Sequence, residues 1–342
     1  MFPQLPLELV HEIVHHILDS APPRCDSQDL LGVTSKPSWV LIEPFTQSSR
    51  AFRLLCLESW FRRLYLRSAL DILTIDQYFP ALKSTWCRHF HCVQTKDPYK
   101  TIFAWDLSGF QQLSSLRVDW LSRKSTFRDD FTPFLNVESR ILEVDIRGVK
   151  YPSPMVLKSL TCAFVHLVTL KLDFPRIWCG LCHTCILVRF PSPPPTSLKY
   201  EGGLGLPVHY SRALFSLNEI EEVIIRLPDF GFGLPSPGLS AHSNDNLWVG
   251  ECDRCMSLMY DDEEFRKRWI ARKRGLDSAG VRRDNTTPPR LKKVQWNFWQ
   301  FDTRGDGTRL SRHETNSDEE SLTDYDGDDR EEGESNEAHE II

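Results

Sequence analysis

Short apolar-x-apolar pieces return along this chain at a nearly constant interval. They stand at Leu64-Leu66, Phe90-Cys92, Leu116-Val118, Leu142-Val144, Leu170-Leu172, Leu198-Tyr200 and Val223-Ile225, with first members spaced 26, 26, 26, 28, 28 and 25 residues apart. A single strand of this kind cannot cover its own apolar face. Regular recurrence lets neighbouring units share one continuous core, so the interval constrains the fold more than any single motif does. Three of the pieces extend backwards into the pattern L-x-x-L-x-L: Leu113-x-x-Leu116-x-Val118, Leu167-x-x-Leu170-x-Leu172 and Ile220-x-x-Val223-x-Ile225. Leu291-x-x-Val294-x-Trp296 repeats it after an interruption. Helix-like pieces, Pro154–Cys162 and Tyr210–Leu217, fall between strands.

Spacing and pattern together resemble leucine-rich repeats, whose period lies within the same range. The asparagine ladder of regular repeats is missing, so the array would be irregular. Residues 226–290 break the period with a Gly/Pro/Ser stretch, a cysteine pair and a charged helix, and read as an insertion looping out of the array.

Ahead of the array, residues 5–18 have helical spacing. Leu9, Ile13 and Ile17 make one row and Val10, Val14 and Leu18 the next, giving a wide apolar stripe. Pro6 suits the first turn, where its missing N–H costs nothing. A second short helix is expected from Asp29. A third is expected to be capped by Ser35, with Pro37 inside its start and Pro44 just beyond its end. Leu5-Pro6-Leu7-Glu8, Ile13 with Ile17-Leu18, Asp29-Leu30-Leu31, and Val33 with Trp39 and Ile42 resemble the F-box, in particular that of F-box-like proteins of filamentous fungi. The loop after Leu18 is longer than the usual pattern, and Pro37-Ser38 stands where a Lys-x-Trp-type helix start is expected.

The resemblance implies an α/β fold with an N-terminal three-helix F-box-like segment (residues 1–55). An irregular leucine-rich-repeat-like solenoid (56–301) and an acidic, disordered tail (302–342) would follow. It further implies a non-catalytic adaptor that binds a Skp-family adaptor and its cullin complex through Leu5, Pro6, Leu9, Ile13, Leu30, Leu31, Val33 and Trp39. The repeat region would hold a protein substrate. The alternative is a generic helical cap on a stand-alone interaction solenoid.

Charge supports the tail boundary. The net charge of −6 is the sum of unlike parts: residues 314–342 carry thirteen Asp/Glu against one Arg, which leaves residues 1–313 at +6. A segment so charged and so poor in apolar residues cannot bury a core. Asp324-x-Asp326-x-Asp328 imitates a calcium loop, but Asp329 and Ser335 stand where that loop needs Gly and Glu. The chain has neither a secretory leader pattern nor an apolar run long enough to span a bilayer, so an intracellular, cytoplasmic or nuclear, protein with reduced or metal-bound thiols is expected.

Cys179-x-x-Cys182 and Cys252-x-x-Cys255 each present two thiolates from a tight turn, the donor set of a tetrahedral structural zinc. Cys185 or His183 could replace one ligand. Such a clip would tie the insertion back to the array. Reduced core thiols are the alternative, and a redox role lacks its βαβ setting. No hydrolase elbow, phosphate loop or H-E-x-x-H motif is present, and no enzyme activity is expected. Gly202-Gly203-Leu204-Gly205 lacks dinucleotide spacing and reads as a turn. Arg266-Lys267-Arg268 and Arg272-Lys273-Arg274 read as the solvated face of the charged helix rather than a nucleic-acid patch.

Overall fold

The computed structural model describes residues 6–20, 31–34, 36–79, 81–95, 104–121, 133–150, 152–175, 177–178, 185–186, 197–201, 206–229, 263–264 and 287–300. The chain divides into two units after Phe301, and every described residue belongs to the first. Helix α1 (Leu7–Ser20) opens that unit. A single 3-10 turn (Trp39–Leu41), α2 (Glu43–Ser48) and α3 (Arg50–Phe61) follow. Then come β1 (Arg63–Leu66), α4 (Asp71–Tyr78), β2 (His89–Gln94), β3 (Trp105–Asp106), β4 (Ser115–Trp120), β5 (Phe134–Leu135) and β6 (Glu143–Arg147). The series continues with α5 (Pro154–Thr161), β7 (Thr169–Asp173), β8 (Ile177–Trp178), β9 (Cys185–Ile186), β10 (Ser197–Glu201), α6 (Val208–Leu214), β11 (Glu222–Asp229) and β12 (Lys293–Gln300).

The main sheet has eight strands in the order β1-β2-β4-β6-β7-β11-β12-β10. All neighbours are parallel except the last pair. The fold is therefore mixed α/β around a mostly parallel sheet. Its register lines up the recurrent pieces: Leu64, Phe90, Leu116, Val144, Leu170, Val223 and Val294 lie side by side. Two residues on, Leu66, Cys92, Val118, Ile146, Leu172, Ile225 and Trp296 form a second row. Both rows sit in one core, sealed by Ile72 and Ile75 of α4, Val156, Leu157 and Leu160 of α5, and Tyr210 and Leu214 of α6. The first residue of each L-x-x-L-x-L frame closes the same core: Leu113, Leu167, Ile220 and Leu291 are all buried.

Several expectations are corrected. The helix expected to start with Pro37 inside it is not formed there: residues 36–38 are non-helical, Ser38 is extended, and only the short turn Trp39–Leu41 precedes α2. The fourth rung is Val144, not Leu142: Ile141-x-x-Val144-x-Ile146 is the buried frame, and Leu142 points outward. The segment Leu198–Tyr200 is not a rung between β7 and β11, because β7 pairs directly with β11. It lies in β10, which runs antiparallel to β12 at the sheet's edge. An alternating pattern reports which face is buried, not which neighbour a strand takes. Finally, Pro44 opens α2 at its first turn instead of following a helix, since a residue without N–H fits where no intrahelical acceptor is needed.

Helix α5 matches its expected piece and shows why it starts where it does. Ser153 caps it by accepting a hydrogen bond from Val156 N–H at 3.3 Å, and Pro154 occupies the first turn. Helix α3 runs through residue 55, so the helical segment passes without a break into the first strand. Strands β11 and β12 are adjacent and parallel although 63 residues separate Asp229 from Lys293; the insertion expected from residue 226 starts later than that, because residues 226–229 belong to β11 and pair with β12.

Candidate interaction surfaces

Helix α1 is apolar over an arc wider than its neighbours cover. At 100° per residue, Val10, Val14 and Leu18 form the inner row and Leu9, Ile13 and Ile17 the row beside it. All three residues of the inner row are buried; Val14 and Leu18 share a small core with Ile42 and Cys56, and Ile17 packs against its margin. Leu9 and Ile13 stay 51% and 44% exposed, and Leu7 at the helix start is exposed too. Val40, Leu41 and Leu54 extend the exposed apolar surface of the same segment. Of the fifteen exposed large apolar side chains among the described residues, ten lie between Leu7 and Tyr78, so this surface concentrates in the N-terminal third.

The eight residues expected to form an adaptor surface fall into distinct environments. Leu9 and Ile13 project outward as a pair. Pro6 is exposed, and its carbonyl accepts from the N–H groups of Leu9 and Val10, opening the helix. Trp39 is half-buried, edge-on to Trp60 at 5.2 Å, so much of its ring serves the segment's own core. Leu31 and Val33 belong to a strap that crosses the polar face of the sheet. Leu5 and Leu30 lie outside the described residues, as do Cys179, Cys182, Cys252, Cys255 and His183. Of Cys185 only the backbone, in β9, is described. Among the described residues no group of His, Cys, Asp and Glu has the arrangement of a metal site, and no helix is long and apolar enough to cross a membrane.

The strap is held at one peptide. Gly32 N–H donates to Asp119 Oδ2 at 2.8 Å, and Tyr65 O–H donates to the Gly32 carbonyl at 2.6 Å. Gly32 has φ +72°, which favours glycine, and a Cβ there would lie 2.7 Å from Leu121 Cδ1. Gly148, at φ +77°, leaves room in the same way for Leu31 and for the Trp120 carbonyl. Asp119 is fully buried. It also accepts from His91 Nε2 at 2.8 Å and from Arg117 Nε and Nη2 at 2.8 and 2.9 Å. Burial would raise its carboxyl, but the hydrogen bonds from His91 and Arg117 outweigh that and hold it at about 2.

Beyond the strap the polar face carries charges in rows set by the strand register. Arg117, Asp145 and Lys171 are neighbours in one row, and Asp119, Arg147, Asp173 and Arg226 in the next. Partners alternate in sign along and between strands: Arg147 binds Asp145 at 2.7 Å, Lys171 binds Glu143 at 2.8 Å, and Lys293 pairs with Glu222 at 2.5 Å. Asp119, Asp145 and Arg147 of these rows are buried, while Arg117, Lys171, Asp173 and Arg226 remain partly exposed, and these could meet complementary polar groups of a partner. Neither Asp119 nor this pairing was singled out in the sequence. The available signal was polar residues at every second position between the buried ones.

Compared with protein-family models, curated proteins and solved structures, the chain gives no match.

Proposed function

We propose that this chain is a non-catalytic adaptor, the substrate receptor of a cullin–RING ubiquitin ligase. Its N-terminal helices bind a Skp-family adaptor through the row containing Leu9 and Ile13. The sheet is an irregular leucine-rich-repeat-like solenoid, and its charged face, with the insertion between β11 and β12, holds a protein substrate. One observation carries the reading: α1 buries one apolar row against its own segment and leaves the adjacent row, Leu9 and Ile13, to solvent. Water-facing leucine and isoleucine in register on a well-packed helix are what a helix-in-groove partner requires.

The test is calorimetric titration of the full-length chain with a purified Skp-family adaptor, beside the double variant L9D/I13D. Both side chains are exposed, so the variant should keep its melting temperature while losing the adaptor. Failure of the wild-type chain to bind, or undiminished binding by the variant, refutes the ligase role.

A second reading, a stand-alone interaction solenoid with a structural zinc clip, draws on the strap. The Gly32–Asp119 and Gly32–Tyr65 hydrogen bonds join the N-terminal segment to the sheet as a terminal cap would be joined. Zinc at one equivalent per full-length chain, without adaptor binding, would favour it.

A further inference from the structure

A cavity of about 320 Å³ opens between the strap, α3, β1 and α4. Its wall is almost wholly apolar, built from Pro37, Trp60, Phe61, Leu66, Ile75 and Phe79, and the volume suits a small organic ligand. One cationic side chain lines it. Lys36 Nζ stands 4.1 Å from the centroid of the Trp60 ring and 5.1 Å from that of Phe61. Aromatic faces attract an ammonium but do not neutralise it. Among the described residues no carboxylate makes an ion pair with Lys36.

The other titratable groups near this amine are Tyr65, which also lines the cavity, and Cys87. Burial raises both, Cys87 to about 12, so neither supplies a negative charge at neutral pH. The same burial pushes the Lys36 amine down to about 7, as expected of a cation held in an apolar wall with no counter-ion. A slot of this chemistry is completed by a ligand with an apolar body and one anionic head.

We propose that this cavity binds a small aromatic or branched aliphatic carboxylic acid, with its hydrocarbon body between Phe61, Ile75 and Phe79 and its carboxylate on Lys36 Nζ. The bound acid touches the strap, α3, β1 and α4 together, so it braces the junction between the N-terminal helices and the sheet. The site stands independently of the adaptor reading.

Full-length protein is titrated calorimetrically with 2-naphthoic acid and phenylacetic acid, and with their neutral amides, at pH 6.5 and pH 9. Saturable one-to-one binding is expected for at least one acid, with its amide about tenfold or more weaker, as the loss of a charge-assisted hydrogen bond requires. The acid should bind more weakly at pH 9, where the free amine is neutral. Lys36→Met, which keeps the apolar stem, should lose the acid at both pH values, and Lys36→Arg should restore it, with circular dichroism confirming that both variants are folded. Equal affinity for acid and amide, undiminished binding by Lys36→Met, or no saturable binding of either acid below about 1 mM would overturn the proposal.

Discussion

The grip of Asp119 on the strap can be tested by Asp119→Asn. The substitution preserves shape and one acceptor oxygen but removes the charge that faces Arg117 and His91 and accepts from Gly32 N–H. The folded carboxyl sits at about 2 against an ordinary value of 3.8. A depression of that size corresponds to about 2–3 kcal/mol of stability at neutral pH. Loss of the carboxylate that faces the partly exposed Arg117 guanidinium pushes the cost slightly upward, to about 3 kcal/mol. The sign with pH follows from the direction of the shift. A carboxyl depressed by folding contributes in full above 3.8 and loses its contribution as pH falls towards about 2. Urea unfolding of wild type and Asp119→Asn should therefore show a gap of about 3 kcal/mol at pH 7 that narrows by about 1 kcal/mol at pH 3. Hydrogen exchange gives the local counterpart: a peptide spanning residues 31–37 should lose protection in the variant while β7 and β11 keep theirs. A gap under about 0.5 kcal/mol at pH 7, or one that does not narrow in acid, refutes the assignment of Asp119 as the anchor.

The two positive-φ glycines near the strap should differ in cost. A Cβ at Gly148 would lie 2.7 Å from the Trp120 backbone oxygen, which cannot move aside, whereas at Gly32 it meets the end of the Leu121 side chain. Gly148→Ala should cost about 2–4 kcal/mol in urea unfolding and Gly32→Ala about 1–2 kcal/mol. The depressed amine of Lys36 makes the unfolded chain the better proton binder between about pH 7 and 10.5, so folding stability should rise through that window. Allowing for partial solvent access, the rise from pH 7 to 9 should be about 1–2 kcal/mol, absent in Lys36→Met and measured by urea midpoints at the two pH values. A flat wild-type profile would contradict the burial of that ammonium. Leu116→Ala, at a central fully buried rung, should cost about 2–5 kcal/mol by the same assay.

Residue identity revealed the faces of this fold better than its neighbour relations. Leu64, Phe90, Leu116, Leu170 and Val223 share one line across the sheet, as their spacing indicates, because alternation in a strand directly encodes a buried side. Ile141-Leu142 followed by Val144 permits two frames, and packing chose the one that buries Ile141. Tyr200 carries the same alternation in an antiparallel edge strand, since the pattern does not depend on direction. The width of the α1 stripe was legible, but which of its two rows turns inward depends on Ile42 and Cys56, supplied by later segments. Gly32 and Asp119, 87 residues apart, carry no local mark of their pairing. Lys36 resembles any polar loop residue until Trp60 and Phe61 close over it.

The excursion between β11 and β12 has a practical meaning. The two strands are parallel, so the chain leaving Asp229 must travel back along the sheet, eight residues or roughly 26 Å, before it re-enters at Lys293. About a dozen residues suffice for such a return. The loop-closure cost of a longer connection grows only logarithmically, so the sheet sets a minimum length for it and hardly a maximum. A protein engineer could therefore exchange the connection for another that is long enough to make that return, and the sheet should pair as before.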